Sequence, residues 1–400
     1  MSEKVVDSNT LDISKQTDNR MIAFAHSPSP TKSLPIKEGY KKKVFVYACC
    51  KNESHSIEKY MNWASEADGV FFLDSGSSDG TQELIKKLGG FVVEDKVSPW
   101  RFDEAKNKAM NLVPDDADIC VCFNLDESMM PEKGWRKILE QVWQYDTTNA
   151  KYEYIFSHIL DGSKQISFTF NAIHNRKDVF WKYATHEVMG STGKPLKEIN
   201  TNFECHHWRP DWKPKSNDLM LLEISCKEYP NDSRIWHYYG RELFYHGKWQ
   251  QAIEVLKKHI SMETWNLEKA ASMNMIAKSF EKLKNYDVAE CWYLKACSEA
   301  PSMREHWVYL GKFYMNIVKS YVGGYWCGKR ALLIDKRDMS HYLCNEAEWK
   351  YGPIDLVSVC GWYAGLKHEA KENVDKMIKV FPNDKRIQYN YKFITDNMDK

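Results

Sequence analysis

Between about residues 216 and 384 the chain repeats itself, and that periodicity restricts its fold more than any other feature. A unit of roughly 34 residues recurs, with insertions. Trp236, Gly240, Leu243, Ala252 and Leu256 set the pattern. The same offsets return as Met273, Ala277, Phe280, Ala289, Tyr293, Ala296 and Pro301, and again as Trp307, Gly311, Tyr314, Gly323 and Cys327. A fourth copy reads Ile354, Ser358, Gly361, Ala370, Val374, Met377 and Pro382, after an extra helix expected near 341–350. Small residues at the eighth and twentieth places let the two helices of a hairpin touch, and large ones at the fourth and eleventh fill the seam to the next hairpin. Stacked helical hairpins, or failing that an unrelated helical bundle, are expected there.

The first half has a different grammar. Apolar runs at 44–49, 70–73 and 119–123 read as strands, with a shorter one at 91–93. Helical spacing appears at 56–67, 81–88 and 102–111, and short strands follow at 154–157, 166–170 and 172–174. Strands alternating with helices predict an α/β layer with a mostly parallel sheet. The expected organisation is a polar, partly disordered arm over 1–40, an α/β domain over 41–212 and an all-α repeat domain over 213–400. Four hundred residues suffice for two cores.

A net charge of +1 supplies no global field to steer nucleic acid or an anionic membrane. The basic run Lys41–Lys43 reads as a solvated lead-in to a strand. Eleven cysteines show no zinc spacing, and Cys120, Cys122, Cys291 and Cys297 sit in apolar patterns, so buried reduced thiols in a cytoplasmic protein are expected. No apolar stretch is long enough to span a membrane.

Two strand ends concentrate chemistry. Residues 70–81, VFFLDSGSSDGT, leave an apolar run at Asp74 for a turn of small and acidic residues. Residues 123–127, FNLDE, end another run in paired acids. In open α/β sheets ligands sit at that edge. Asp74 can accept from a base or a ribose hydroxyl, or the loop can simply cap the next helix through Asp79 or Ser78. Asp126 and Glu127 offer the hard oxygens a divalent ion needs beside a diphosphate.

KNE at 51–53, DSGSSDGT at 74–81, FDEAKN at 102–107 and FNLDE at 123–127 resemble, in order and spacing, family-two glycosyltransferases of GT-A fold, over about residues 44–209. The resemblance implies a Rossmann-like sheet, a nucleotide-sugar donor, UDP by expectation, and Mn²⁺ or Mg²⁺. It places Asn52, Glu53 and Asp74 near the base and ribose, counts Ser75, Asp79, Lys106, Asn107 and Asn124 with them in the donor-nucleotide site, Lys106 facing phosphate, and puts Asp126 on the metal. Asn124 stands where the family carries an acid, and Lys106 where it often carries arginine.

Residues 181–187, WKYATHE, resemble a block of the bacterial lipooligosaccharide-core subgroup. That resemblance implies a base for inverting transfer, with Glu187 as candidate and Glu127 and Asp126 as rivals; alternatively His186 and Glu187 only order the acceptor loop. His206 or His207 would return to the metal, or serve as an ordinary surface histidine. Trp100 and Trp208 would stack on a sugar or pack in a core. The repeats resemble, in degenerate form, the tetratricopeptide repeat.

The expected function is therefore sugar transfer to a macromolecular acceptor, a glycan or a polypeptide, with the repeats orienting the acceptor or forming a homodimer. One alternative acceptor is a hydroxymethylated base in viral DNA, in the host cytoplasm. The other reading is a non-catalytic repeat scaffold with a decayed transferase domain, which Asn124 favours.

Overall fold

The computed structural model describes residues 41–158, 164–193, 195–208, 218–335 and 344–398. The arm expected over 1–40 and the boundary expected at 212/213 lie outside the described residues. Lys41–Lys400 form one compact unit.

The chain opens with β1 (Val44–Cys50), α1 (Ser54–Ala64), β2 (Gly69–Asp74), α2 (Thr81–Lys87), β3 (Phe91–Glu94), α3 (Phe102–Met110) and β4 (Ile119–Cys122). These strands pair in the parallel order β3-β2-β1-β4. β1 and β4 are buried along their length, as continuous apolar strands between two helical layers must be. On α1, Ile57, Tyr60, Trp63 and Ala64 form the buried stripe. Trp63 lies between the rings of Phe123 and Trp135, at 5.4 and 5.3 Å.

From β4 onward the sheet departs from the expected mostly parallel pattern. β5 (Glu127–Met130), α4 (Trp135–Val142), β6 (Asn149–His158), β7 (Lys164–His174), β8 (Val179–Lys182), β9 (Val188–Ser191) and β10 (Glu198–His207) follow. β7 runs antiparallel to β4 and β6, β10 runs parallel to β6, and β5 runs antiparallel to β10. The sheet is mixed. The short strands expected at 166–170 and 172–174 are one strand, β7. β8 and β9 pair as a separate hairpin.

A buried polar chain ties β8 to the sheet. The Trp181 indole N–H donates to Tyr47 Oη at 2.7 Å, and Tyr47 donates to His174 Nε2 at 2.7 Å. His174 Nδ1 completes the chain at 2.6 Å from the Asn175 carbonyl, which fixes its tautomer. Burial lowers the His174 pKa to about 4, against the smaller effect of that carbonyl.

The second half is helical: α5 (Asp218–Glu228), α6 (Ser233–Tyr245), α7 (Trp249–Met262), α8 (Asn266–Lys282), α9 (Tyr286–Glu299), α10 (Arg304–Phe313) running into a π-helical turn, and α11 (Tyr321–Leu332). After β11 (Cys344–Asn345) come α12 (Glu346–Lys350), α13 (Gly352–Tyr363), α14 (Lys367–Val380) and α15 (Lys385–Asp396). The hairpins α6/α7, α8/α9, α10/α11 and α13/α14 are the four repeats. The extra helix expected near 341–350 is β11 and α12 over its described part, and 341–343 lie outside the described residues.

The small residues mark the closest approaches. A Cβ on Gly240 would stand 2.5 Å from Leu256 Cδ2 of the paired helix, and one on Gly311 would stand 2.7 Å from Leu356 Cδ1. Among the cysteines, Cys120, Cys122 and Cys297 are buried as expected, whereas Cys291 is exposed, on the outward side of α9.

Among the described residues, the repeats meet the first half of the chain in two regions. Tyr183, just after β8, packs with Cys226 of α5 and Ile235 of α6. At the other place β11 pairs antiparallel with β7. Glu305 of α10 holds that segment by accepting from the Asn345 amide at 3.1 Å and the Trp349 indole at 2.8 Å.

Candidate functional site

The loops after β1 and β2 interlock. Asp74, with no exposed surface, accepts from the Gly76 and Ser77 amides at 2.9 and 2.8 Å and from Gln82 Nε2 at 3.0 Å. Burial would raise its carboxyl, but the Ser77 hydroxyl and amide and the Gly76 amide outweigh it and hold the pKa below the ordinary value. Asn52 adopts φ 56°, and its side chain accepts from the Ser78 amide at 2.8 Å. The Glu53 amide donates to Thr81 Oγ1 at 2.9 Å, the Ser54 amide to Asp79 Oδ2 at 3.0 Å, and the Ser75 amide to the Cys50 carbonyl at 3.0 Å. The structure thus brings Asn52, Glu53, Asp74, Ser75 and Asp79 together, each tied by hydrogen bonds to other residues of the two turns, Cys50, Ser54, Gly76, Ser77, Ser78 and Thr81 among them.

At the end of β4 the acids separate. Glu127 accepts from the Asn124 amide at 2.8 Å, from Asn124 Nδ2 at 2.7 Å and from Tyr154 Oη at 2.8 Å. Asp126 instead stands 3.6 Å from His207 Nε2. Burial lowers the His207 pKa, but the Asp126 carboxylate more than offsets it and the imidazole is shifted up. A carboxylate and an imidazole at that spacing could share one divalent ion. Asp126 also borders a cleft of about 180 Å³, lined with it by His55, Lys59, Glu132, Lys133 and Trp208.

Alternation along β10 sends His206 the other way. It meets His158 Nε2 at 2.9 Å and Glu204 Oε2 at 3.1 Å, away from Asp126. Trp208 stacks on His158 at 4.0 Å with half of its surface exposed. Trp100 packs edge-on against Phe102 at 5.5 Å beside the sheet core.

A third group forms under β8. Lys106 Nζ lies 2.6 Å from Glu187 Oε1 and 4.4 Å from the Trp181 ring centre. Burial disfavours the Lys106 ammonium, but Glu187 outweighs it and shifts its pKa up. Asn107 exchanges two hydrogen bonds of 2.8 Å with the Trp181 backbone, so both ends of its amide hold β8. His186, at φ 52°, stacks on Tyr238 of α6 at 4.3 Å, which makes it part of the junction with the repeats.

The sequence reading assigned no role to the first helices of the repeats. Arg241, Lys278 and Lys312 each follow the small residue at the eighth place, so α6, α8 and α10 present a cation at one register. Lys278 Nζ lies 3.9 Å over the Tyr309 ring and makes no ion pair among the described residues. Burial lowers its pKa; Glu348 opposes the shift and Lys312 adds to it. A cation repeating at one place in the first three units is the signal that would have revealed this row.

No protein-family model matches the chain, and no curated protein matches it. It is similar to a crystal structure of MamA, at 14% identity and a TM-score of 0.33, over 40% of this chain and 85% of that chain. It is similar to PilF of Pseudomonas aeruginosa, at 10% identity and a TM-score of 0.34, over 44% of this chain and 72% of that one. A tetratricopeptide repeat protein from Parabacteroides merdae gives 15% identity and a TM-score of 0.35, over 45% of this chain and 65% of that one. These likenesses run to repeat proteins and correct the resemblance to family-two glycosyltransferases. Sugar transfer, the UDP donor and the viral-DNA acceptor are withdrawn with it. The motif blocks have a local account instead: KNE and DSGSSDGT interlock two βα turns, FDEAKN pins β8, and FNLDE closes the β4 end through Glu127.

Proposed function

We propose that this chain is a non-catalytic repeat scaffold whose first-helix face captures an acidic polypeptide segment of a partner protein. The reading rests on Lys278. Its ammonium is half-buried against Tyr309 with Lys312 nearby, and its desolvation is not offset by an ion pair among the described residues. Such a group gains from an incoming carboxylate. Arg241 and Lys312, the latter already paired with Glu348, continue the row along the stacked helices, so an extended acidic segment meets a cation in each of the first three repeats.

Fluorescence anisotropy with a labelled hexaglutamate peptide tests this. The peptide should bind, weaken as salt is added, and lose about tenfold in affinity in Lys278→Glu, equivalent to about 1.4 kcal/mol. Equal binding of a hexaglutamine peptide, or an unchanged affinity in the folded variant, would sink the reading.

A further inference from the structure

The junction between the first two hairpins holds a group of ligand-type atoms that the scaffold reading does not use. His259 lies in the last turn of α7, Glu263 ends that helix, and Glu268 lies in the first turn of α8. His259 is fully buried and Glu268 is 3% exposed. Among the described residues, His259 Nε2 and Glu268 Oε1 have no hydrogen-bond partner. Yet Nε2 stands 3.4 Å from Glu268 Oε2 and 3.7 Å from Glu263 Oε2. One ligand atom from each of the three lies within 4.8 Å of the others.

These separations discriminate between a proton and a metal ion. An imidazolium bonded to a carboxylate closes to about 2.7–2.9 Å. Two ligands of one tetrahedral ion, each about 2.0–2.1 Å from it, stand about 3.4 Å apart. The observed spacing fits the second arrangement.

The surrounding contacts fix the ligands in place. Glu263 Oε1 accepts from the Thr264 and Trp265 amides at 2.7 Å each, and its Oε2 accepts from Ser233 Oγ at 2.6 Å. Ser272 Oγ lies 2.9 Å from His259 Nδ1 and 2.7 Å from His237 Nδ1. A serine hydroxyl has one proton to give. If Ser272 donates to His237 it accepts from His259 Nδ1–H, and the His259 Nε2 lone pair then faces the two carboxylates. Such outer hydrogen bonds orient a metal-binding histidine and set its tautomer.

We propose that His259, Glu263 and Glu268 bind a divalent transition-metal ion, Zn²⁺ by their donor set, and that the ion clamps α7 to α8. One imidazole and two carboxylates leave a fourth position for water, on the side where Glu263 is 11% exposed. The pairing is invisible as a sequence motif because the third ligand lies across a helix break.

The test uses the full chain after dialysis against a chelator, titrated with Zn²⁺ by calorimetry and with Co²⁺ by visible absorption. The expected result is one ion per chain, the intense absorption of tetrahedral Co²⁺, and a higher melting temperature with Zn²⁺. Glu268→Gln, nearly identical in shape, should keep the helical circular dichroism and bind at least about 100-fold more weakly. Asp126→Ala separates any ion held near His207 and should leave the Co²⁺ spectrum unchanged. The proposal is overturned if folded Glu268→Gln binds Co²⁺ as the parent does, or if neither ion binds. Should His259→Gln fail to fold, the Glu268 variant still decides.

Discussion

The sheet edge and the repeat array distribute their charged groups in opposite ways. At the edge, Asp74, Asn52, Glu127, Asn107 and Glu187 are bonded within their own loops or to a neighbouring element. In the repeats, His259 Nε2 and Glu268 Oε1 are buried without a hydrogen-bond partner among the described residues, and Lys278 is desolvated against a ring. Polar atoms already satisfied serve folding, whereas buried ones left unsatisfied call for an account beyond it. Residue types that suggest chemistry do not locate a site; their unused bonding capacity does.

Breaking an internally satisfied group should produce the largest loss. Glu187→Gln leaves the Lys106 ammonium buried without its partner, at a cost of about 3 kcal/mol in urea unfolding. The double variant Lys106→Met/Glu187→Leu should recover most of that loss, because the pair then vanishes together. If the double variant is as unstable as the single, the pair is not the cause.

A comparable effect is expected from pH. His174 is folded with a pKa near 4 but titrates near its ordinary value when unfolded, so the unfolded state takes up the proton first as pH falls. Its contribution lowers stability progressively between pH 6.5 and 4, by about 3 kcal/mol once both states are protonated. His186 and His237, also shifted down by burial, act in the same direction. His207, shifted up, acts in the opposite sense: its contribution is complete below about pH 6.5 and fades as pH rises through the folded value. His174→Asn should therefore flatten the acid side of the stability profile, and an unaltered slope would reject the assignment.

The repeats give the smallest change, and its sign depends on position. Gly240→Ala places a methyl 2.5 Å from Leu256 and should cost about 1–2 kcal/mol. Gly361→Ala meets nothing closer than 3.5 Å and gains helix propensity, up to about 1 kcal/mol. Thermal melts with matching signs would break the idea that the glycines mark helix contacts.

The repeats were legible because small residues recur at fixed offsets and nothing else in the chain imposes that period. β1, β2 and β4 were legible as apolar runs buried on both faces. β10 was not: over Glu198–His207 its fully buried residues are Phe203 and Cys205, so no apolar run announces it. Without β10 the sequence could not say which of two adjacent histidines faces Asp126, since neighbours on a strand point to opposite faces. The 3.6 Å approach of His207 Nε2 to Asp126 settles it. Turn signals at 74–81 were read correctly as a strand-to-helix loop, but a loop that caps itself and a loop that holds a nucleotide use the same residues. Across the α7–α8 break, register is no longer set by one helix, so His259 and Glu268 carried no sequence signal at all.

An open array of hairpins melts from its two ends inward. This one has its early end seated on Tyr183 and its middle returned to β7 through β11, which closes α5–α12 into a loop with the sheet as one side. Hydrogen exchange should then show α13–α15, which lie beyond the β11 bridge, opening first, with α6–α11 exchanging together once that bridge is lost.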